Sequence, residues 1–510
     1  GDKNKHPIDY SHPFIMRDAN KCINCGRCIR TCAEIQGPAV LGYIYRGFAT
    51  LVAPEFGDSL TKTSCLSCGK CIDVCPVGAL MQRTVHYKFN PHPKDISLQN
   101  CGLCGVGCFI QTETQAGIVT RVTTPQEEPA FNGKNLCFKG RFGWQSFYDK
   151  DRLKVPLFKE NDIFKEISWQ EATDLIAKEI SLCSSKRFEI SPYISLEEML
   201  MLQRAAHKYE TELSANPVFS AFSDVFLNLS PQKEPYKILD DFEEYVVYGE
   251  LNQVLATLIR LQQRKGKKLT LVNYPENAFC RFADAVYAKL AEVQATDKTL
   301  FIYNQNRISE QEAFALWCFA SEQGTDNLLV STDFRNHLGF LALQPDFSPS
   351  SSDFVLSWGV YPALANQAKF SVAIMPFEDE KAPVDLLIPA PSFLEMEGTA
   401  LSDLGQITKS ANPAKSIIIN ELMRLFYTLN WIHPNSAEVP FWNQEAEKLL
   451  LTLQNYVPAK FEPSAVKIAE LSKTIKFIPA QAEKHITALF EQGKKATSFS
   501  GRLISSSTNM

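Results

Sequence analysis

The sequence predicts an α/β protein in which a cysteine-rich N-terminal part precedes a doubly wound parallel sheet. Two observations predict this fold class. Twelve of the fifteen cysteines lie within the first 137 of the 510 residues. From about residue 245 onward, short apolar segments alternate with helical ones, a pattern typical of parallel strands joined by helices. The cysteines therefore organise small N-terminal domains, and a larger hydrophobic core organises the rest.

Two cysteine runs of identical spacing form an internal repeat near the start of the chain. The runs comprise Cys22, Cys25, Cys28 and Cys32, then Cys65, Cys68, Cys71 and Cys75, with Pro76 after the second. In this bacterial ferredoxin spacing, the fourth cysteine of one run ligates the cluster of the other run. The runs predict two [4Fe-4S] clusters in a ferredoxin-like domain over residues 1–97. The first ligand set is Cys22, Cys25, Cys28 and Cys75, and the second ligand set is Cys65, Cys68, Cys71 and Cys32.

Zinc and disulfides explain these two runs poorly. Zinc sites use isolated Cys-x2-Cys pairs, and a third cysteine three residues further on crowds a tetrahedral site. Disulfides need an oxidising compartment, and the chain shows no secretory signal.

A third ligand set follows over residues 98–153, where we expect a small [4Fe-4S] domain. Its members are Cys101, Cys104, Cys108 and the more distant Cys137. Gly102, Gly105 and Gly107 lie between the ligands, as expected where backbone approaches a cluster closely. Four thiolates also suit zinc, so this set taken alone leaves zinc as an alternative.

Strand and helix patterns extend from the ferredoxin-like region to about residue 430. Ser168 precedes a helix to about Cys183 with the spacing of a capping box. The predicted strands cover 41–45, 50–53, 109–112, 118–122, 245–249, 269–273, 299–303, 328–331, 354–358, 372–376 and 386–389. Helices are predicted over 252–264 and 309–321. We assign residues 154–430 to one α/β domain and 431–510 to a helical segment and tail.

Composition excludes several classes of function. The net charge of −5 and the lack of a basic stripe argue against nucleic-acid binding. No run of about 18 apolar residues occurs, so no membrane span is predicted. Gly249-Glu250-Leu251 does not continue as a dinucleotide-binding fingerprint. We expect a location in the cytoplasm or at the cytoplasmic face of a membrane complex.

Several motifs resemble one protein superfamily. The segments 20–28 and 34–37 resemble both the NAD-linked formate dehydrogenase alpha subunit and the large iron–sulfur subunit of respiratory complex I. The segments 136–143 and 151–156 resemble the end of the cluster domain of molybdopterin oxidoreductases. Similar motifs of that superfamily recur at 390–392, 397–399 and 405–406. The resemblance implies that Lys139 lies between the third cluster and a pterin where one is present; a cation that balances cluster charge is the alternative.

Three departures from that superfamily predict a member without molybdenum. Neither the N-terminal [2Fe-2S] domain nor a His/Cys3 cluster segment is present, and we expect His6 and His12 to be surface residues. Residues 214–224, where the resemblance implies the metal ligand, contain no cysteine. We expect the C-terminal pterin-binding barrel to be missing, and Gly1 leaves open whether the chain is processed or part of a longer one.

The sequence therefore predicts an iron–sulfur electron-transfer subunit with three [4Fe-4S] clusters, without molybdopterin and without its own substrate site. Its expected partners are flavin- and NAD(P)H-binding and iron–sulfur subunits of a redox complex. Two alternatives stay open: a catalytic molybdenum or tungsten subunit of the formate dehydrogenase type, and a non-catalytic assembly scaffold.

Overall fold

The computed structural model describes residues 6–449 with gaps. The larger gaps are 84–93, 126–130, 217–218, 220–238, 276–277, 337–339, 404–406 and 434–440, and shorter ones lie between 310 and 447. The sequence pattern in the helical segment and tail predicts helices at 443–453 and 480–492 and a loose tail at 497–508. These parts fall wholly or largely outside the described residues.

Twenty-one strands and seven α-helices of the described residues build the fold. The strands are β1 (Ile15–Arg17), β2 (Leu41–Ile44), β3 (Leu51–Pro54), β4 (Leu80–Gln82), β5 (Lys94–Asn100), β6 (Phe109–Gln115), β7 (Ile118–Thr123), β8 (Leu157–Glu160), β9 (Ile163–Glu166), β10 (Lys186–Ile190), β11 (Leu213–Ala215), β12 (Glu244–Tyr248), β13 (Lys268–Val272), β14 (Ala285–Tyr287), β15 (Thr299–Asn304), β16 (Leu328–Ser331), β17 (Phe354–Trp358), β18 (Phe370–Met375), β19 (Leu386–Pro389), β20 (Thr399–Leu401) and β21 (Ile407–Lys409). The helices are α1 (Arg27–Arg30), α2 (Lys70–Asp73), α3 (Phe138–Phe142), α4 (Trp169–Leu182), α5 (Leu196–Lys208), α6 (Gln253–Gln263) and α7 (Ile418–Thr428). A π-helix over Thr31–Gln36 continues α1.

The chain forms two compact units, each assembled from separate stretches. The first unit comprises Gly1–Cys101, Cys108–Trp144 and Tyr236–Asp333. The second comprises Gly102–Gly107, Gln145–Pro235 and Phe334–Met510. The predicted domain boundaries at 97, 153 and 430 stay predictions.

The first unit contains three small antiparallel sheets and one parallel sheet. β1 pairs with β4, β2 with β3, and β5, β6 and β7 form a three-stranded meander. The parallel sheet has the order β14-β13-β12-β15-β16. All six residues of β15 are buried, as expected of a strand covered on both faces.

The second unit is built around a seven-stranded sheet of order β11-β10-β17-β18-β19-β8-β9. The first five of these strands are parallel, whereas β8 and β9 form an antiparallel hairpin at one edge. β20 and β21 pair separately. Parallel sheets in a mixed α/β protein, as the sequence predicts, are confirmed.

The capping box predicted at α4 is present. The Ser168 side chain accepts from the Glu171 backbone N–H, and the Glu171 carboxylate accepts from the Ser168 backbone N–H. Among the described residues, we find no helix with the length and apolar character needed to span a membrane.

Candidate iron–sulfur sites

The repeat of the two cysteine runs extends to backbone conformation. Asn24 and Ser67, at equivalent positions of the two runs, have φ of 56° and 51° and donate backbone N–H groups to the Sγ atoms of Cys22 and Cys65, each over 3.4 Å. Gly26 and Gly69, again at equivalent positions, have φ of 68° and 65°. Left-handed backbone at matching positions curls each loop around its sulfurs.

The sulfurs of the first ligand set converge in the structure. Burial raises the pKa of the Cys28 thiol to about 11, and the nearby Cys22, Cys75 and Cys25 sulfurs raise it further. Cys75 comes from the second run, so the two runs are interleaved here.

The hairpin of β2 and β3 holds the loop of the first ligand set. The Tyr43 hydroxyl donates to the Asn24 carbonyl over 2.8 Å, and the Asn24 side-chain amide donates to the Thr50 carbonyl over 3.1 Å. These bonds hold Asn24, whose backbone N–H donates to the Cys22 Sγ, in place between Cys22 and Cys25.

The second ligand set converges in the same way. Burial raises the pKa of the Cys68 thiol to about 12, with Cys65 and Cys32 among the nearby sulfurs that add to it. Burial also raises the pKa of the Cys71 thiol, and the charges of Cys68, Cys65 and Cys32, followed by that of Cys28, raise it as well. Cys32, from the first run, therefore lies with three cysteines of the second run.

Four neighbouring thiols fit the donor set of an iron–sulfur cluster. Burial raises the pKa values of the Cys28, Cys65, Cys68 and Cys71 thiols, so a cationic core would have to offset burial and mutual repulsion before these thiols ionise. Backbone N–H groups directed at Sγ atoms are the hydrogen bonds that such thiolates use. The described part of the chain contains no group of three His, Cys, Asp or Glu side chains placed to hold a single metal ion. The fit therefore rests on the convergence of the sulfurs.

The structure brings three members of the third ligand set into the first unit. The Cys101 N–H donates to the Cys108 carbonyl over 2.7 Å. The Sγ atoms of Cys101 and Cys137 both lie 3.8 Å from the position that a Cβ on Gly140 would occupy. The Gly140 N–H donates to the Cys137 Sγ over 3.3 Å. Cys104 belongs to the stretch 102–107, which is part of the second unit.

Packing of protein side chains explains the glycines of the third set. A Cβ on Gly102 would lie 2.7 Å from Phe393, and one on Gly105 would lie 2.0 Å from the Asp403 carboxylate. The Asp403 N–H also donates to the Gly105 carbonyl over 2.7 Å. Close approach of the backbone to a cluster at these glycines stays a prediction; the structure shows that Phe393 and Asp403 approach Gly102 and Gly105 closely.

Two cations follow Cys137 on α3. The Lys139 charge lowers the pKa of the Cys137 thiol, although burial raises it overall. Arg141 is directed elsewhere: its Nε donates to the Cys68 carbonyl over 2.7 Å, and its two terminal nitrogens donate to Asp73 over 2.8 and 2.6 Å. The motif after Cys137 predicts a role beside the third cluster for Lys139 only. Arg141 belongs to the same motif, but a motif does not reveal a contact with a loop so much earlier in the chain.

The expectation that His12 lies at the surface is wrong. Its side chain is 3% exposed, and its Nδ1 accepts from the backbone N–H groups of Phe14 and Ile15 at 3.1 Å. Nε2 therefore carries the proton and pairs with the Ser67 hydroxyl at 3.0 Å. Burial lowers the pKa of His12 to about 4. The residue supports the loop between Cys65 and Cys68.

The segment expected to hold a molybdenum ligand is described only at 214–216 and 219. Ser214 is buried in β11, and its hydroxyl donates to the Phe188 carbonyl over 3.1 Å. His207 lies exposed on α5.

Cysteines outside the ligand sets behave differently from one another. Cys183 is buried, which fits a small apolar core residue. The same interpretation predicts a buried Cys280, but Cys280 is half-buried, with its sulfur 3.5 Å from the Pro275 carbonyl. Cys318 lies outside the described residues. No disulfide joins the cysteines that the structure describes.

Two protein families match the cysteine-rich part. Residues 12–81 match the ferredoxin-like domain of NADH-quinone oxidoreductase subunit 3. Residues 100–149 match the molybdopterin oxidoreductase Fe4S4 domain. The resemblance stated from the motifs is confirmed.

Similar proteins match about two fifths of this chain. An NADH-quinone oxidoreductase subunit of Rhizobium meliloti is 34% identical over 194 residues, which are 38% of this chain and 22% of that protein. NADH-quinone oxidoreductase subunit 3 of Thermus thermophilus is 33% identical over 211 residues, 40% of this chain and 25% of that protein. The putative formate dehydrogenase YrhE of Bacillus subtilis is 29% identical over 249 residues, 40% and 25% of the two chains. The chain thus spans about a quarter of the length of these relatives.

Proposed function

We propose that the chain, in which residues 12–81 and 100–149 match the two iron–sulfur domain families, is an iron–sulfur electron-transfer subunit of a multi-subunit, NAD(P)H-linked oxidoreductase. It relays electrons between a flavoprotein partner and another redox module. The observation that carries the proposal is the interleaving of the two cysteine runs. Cys75 of the second run lines one cavity with Cys22, Cys25 and Cys28 of the first, and Cys32 of the first run lies near Cys68 and Cys71 of the second.

The proposal assigns three [4Fe-4S] clusters to the three ligand sets. Such a cluster accepts and releases one electron at a potential set by its hydrogen bonds and burial. The protein supplies the remaining parts: the N–H groups of Asn24, Ser67 and Gly140 face sulfur, and Lys139 and Arg141 place positive charge beside two of the sets. We infer the third set, including Cys104, from its spacing and from the matched domain.

The α/β part would serve as a scaffold without a molybdenum cofactor. What supports this is the commitment of buried polar groups to the protein itself. The Ser214 hydroxyl bonds to a strand carbonyl. The Arg152 guanidinium contacts Glu395 and the Pro376 and Ala390 carbonyls. The Arg187 guanidinium lies 3.0 Å from the Glu189 carboxylate.

The names of the relatives support the choice of complex. Two are subunits of NADH-quinone oxidoreductases, so we place the chain in a complex that oxidises NAD(P)H, with the flavin on a partner subunit. The location at the cytoplasmic side stays part of this proposal.

A metal count on the anaerobically purified chain tests the proposal. We expect about twelve irons and about twelve acid-labile sulfides per chain, four of each per cluster, and neither molybdenum nor tungsten. Addition of NADH with a co-purified flavoprotein should reduce the clusters, seen as bleaching of their visible absorption. Fewer than about eight irons in a folded chain would contradict the proposal.

A catalytic subunit is the second candidate, favoured by the similarity to the putative formate dehydrogenase. One molybdenum or tungsten per chain, together with formate-dependent reduction of the clusters, would replace the proposed function with this one. A scaffold that carries clusters only for folding is distinguished by redox titration, because its clusters would not be reduced by NADH and the flavoprotein.

A further inference from the structure

Arg141 makes a buried, bidentate ion pair between two of the cysteine motifs. Its Nη1 and Nη2 atoms donate to the two Asp73 carboxylate oxygens over 2.8 and 2.6 Å. The two side chains are 2% and 7% exposed. Asp73 lies on α2, between Cys71 and Cys75. Two parallel charge-assisted bonds hold a planar guanidinium in one orientation, which a lysine could not do.

The same guanidinium also reaches the backbone of a cluster ligand. Its Nε donates to the Cys68 carbonyl over 2.7 Å. The Arg141 backbone N–H, in turn, donates to the Cys137 carbonyl over 3.1 Å. One residue is therefore bonded at its main chain to a cysteine of the third set and at its side chain to a cysteine of the second set.

The sequence around Cys68 leaves room for this side chain. Gly69 has φ of +65°, and a Cβ there would lie 2.2 Å from the Arg141 Cδ and 3.0 Å from the Phe142 ring. A glycine is needed at this position both for its backbone conformation and for the passage of Arg141.

Charges around Asp73 leave a positive balance beside the second set. Besides Arg141, Lys70 and Arg121 lie 4.0 and 3.8 Å from the Asp73 carboxylate. Arg121 also lies 3.7 Å from the Glu113 carboxylate. Three cations against two carboxylates leave a net positive charge, which favours the form of a nearby cluster that carries one more electron. Lys139, on the same helix as Arg141, acts instead on Cys137. The two cations of α3 thus serve different ligand sets.

We propose that Arg141 is a positioning residue that ties the loop of the second ligand set to the helix of the third, and that its charge favours residence of an electron on the second set over the third. This inference rests on the proposed function. The step concerned moves one electron from one set to the other, with no bond made or broken and no proton transferred.

Redox titration of the iron-loaded chain, followed by electron paramagnetic resonance, tests the inference. In Arg141→Gln, we expect the electron occupancy of the second set relative to the third to fall about tenfold, which for a one-electron couple corresponds to about 59 mV. Arg141→Lys keeps the charge but not the three bonds, and should recover most of the potential while changing the magnetic interaction between the two sets.

Arg152→Gln is the matched control, because Arg152 and Glu395 form an equally buried pair, each 2% exposed, within the second unit. It should leave all three potentials in place. Lys139→Gln should lower the potential of the third set alone.

Unchanged potentials in Arg141→Gln at wild-type iron content would overturn the inference and leave the proposed function intact. If Arg141→Gln loses iron, Gly69→Ala replaces it as the test variant, because it keeps the Arg141 cation but displaces it from the Cys68 carbonyl. Unchanged potentials and an unchanged magnetic interaction between the two sets in Gly69→Ala would then overturn the inference. A wild-type chain without iron in these sets would refute the proposed function first.

Discussion

At the scale of single residues, His12 couples folding of the second cysteine loop to pH. Its ring is held neutral at pH 7, because burial lowers its pKa to about 4, whereas the unfolded chain has the ordinary value near 6.5. Between about pH 6.5 and 4, the unfolded chain binds a proton that the folded protein does not. The free energy of unfolding therefore falls as the pH drops through this window, by about 3 kcal/mol in total.

Replacing His12 by Gln should remove this part of the pH dependence. Urea unfolding of the iron-free chain at several pH values between 7 and 4 measures it, with His207→Gln as the control at an exposed position. The same slope in His12→Gln as in the wild type would contradict the assignment.

Single cysteine replacements test the interleaved pairing. Cys75→Ser should disturb the same paramagnetic signal as Cys28→Ser, and Cys32→Ser the same signal as Cys71→Ser. If each run bound its own cluster, Cys75 would instead group with Cys71.

The cysteine spacing predicts the interleaved partition, since ferredoxin runs exchange their fourth ligand. The spacing does not indicate His12 or Arg141, because their contacts depend on the packing of distant segments.

At the scale of elements, two helices begin with the same capping box in different surroundings. The box of α4 is exposed, whereas Ser195 and Glu198 at the start of α5 are 0% and 2% exposed. Burial raises the pKa of Glu198 to about 7. The Ser195 hydroxyl and N–H donate to its carboxylate over 3.0 and 2.7 Å.

Ser195→Ala should therefore cost more stability than Ser168→Ala. We expect about 1 kcal/mol at the exposed cap and about 2 kcal/mol at the buried one, where the carboxylate also loses a donor. Hydrogen exchange of the first-turn amides of α4 and α5 measures both locally. Equal losses at the two caps would show that burial of the α5 box adds nothing.

Most strands of the parallel sheets could be predicted because they are continuous apolar runs. β16, β17 and β19 have the predicted bounds, β12, β13, β15 and β18 differ by one or two residues at an end, and the short β11 and β14 are not predicted. β10 is not predicted because its sequence contains Arg187 and Glu189. These charges are tolerated in a buried strand because they pair with each other at 3.0 Å. A sequence pattern records the charges but not the pairing.

At the scale of the whole molecule, residues 236–333 fold with the ferredoxin-like part rather than with the rest of the predicted α/β domain. Arginines make this association. Arg260 Nη2 donates to the Ala33 carbonyl over 3.1 Å, and Arg281 donates to the Gly37 and Pro38 carbonyls over 2.8 and 3.1 Å. These carbonyls lie in and just after the π-helix that carries Cys32. Contacts between segments so far apart in the chain leave no local signal in a sequence.

Arg260→Ala should loosen the end of that π-helix. Arg260 is 3% exposed and stacks over Phe282 at 3.5 Å, so its loss removes buried contacts and should speed hydrogen exchange of the backbone amides of residues 33–37 at least tenfold. Arg264→Ala is the control, because that side chain is 48% exposed and its ion pair with Glu34 is 3.7 Å long. Similar exchange in both variants would argue against a role for Arg260.

The crossing of the two cysteine runs has a consequence for synthesis of the protein. In the interleaved assignment, Cys32 shares a site with Cys65, Cys68 and Cys71, and Cys75 completes the site of Cys22, Cys25 and Cys28. Neither site therefore has all of its ligands until the ribosome has passed Cys71. The second site becomes complete there, and the first follows almost at once, at Cys75. Metal insertion into this part of the chain would be a single event that follows synthesis of both runs. A nascent chain that stops before Cys71 would leave both sites without a full set of ligands.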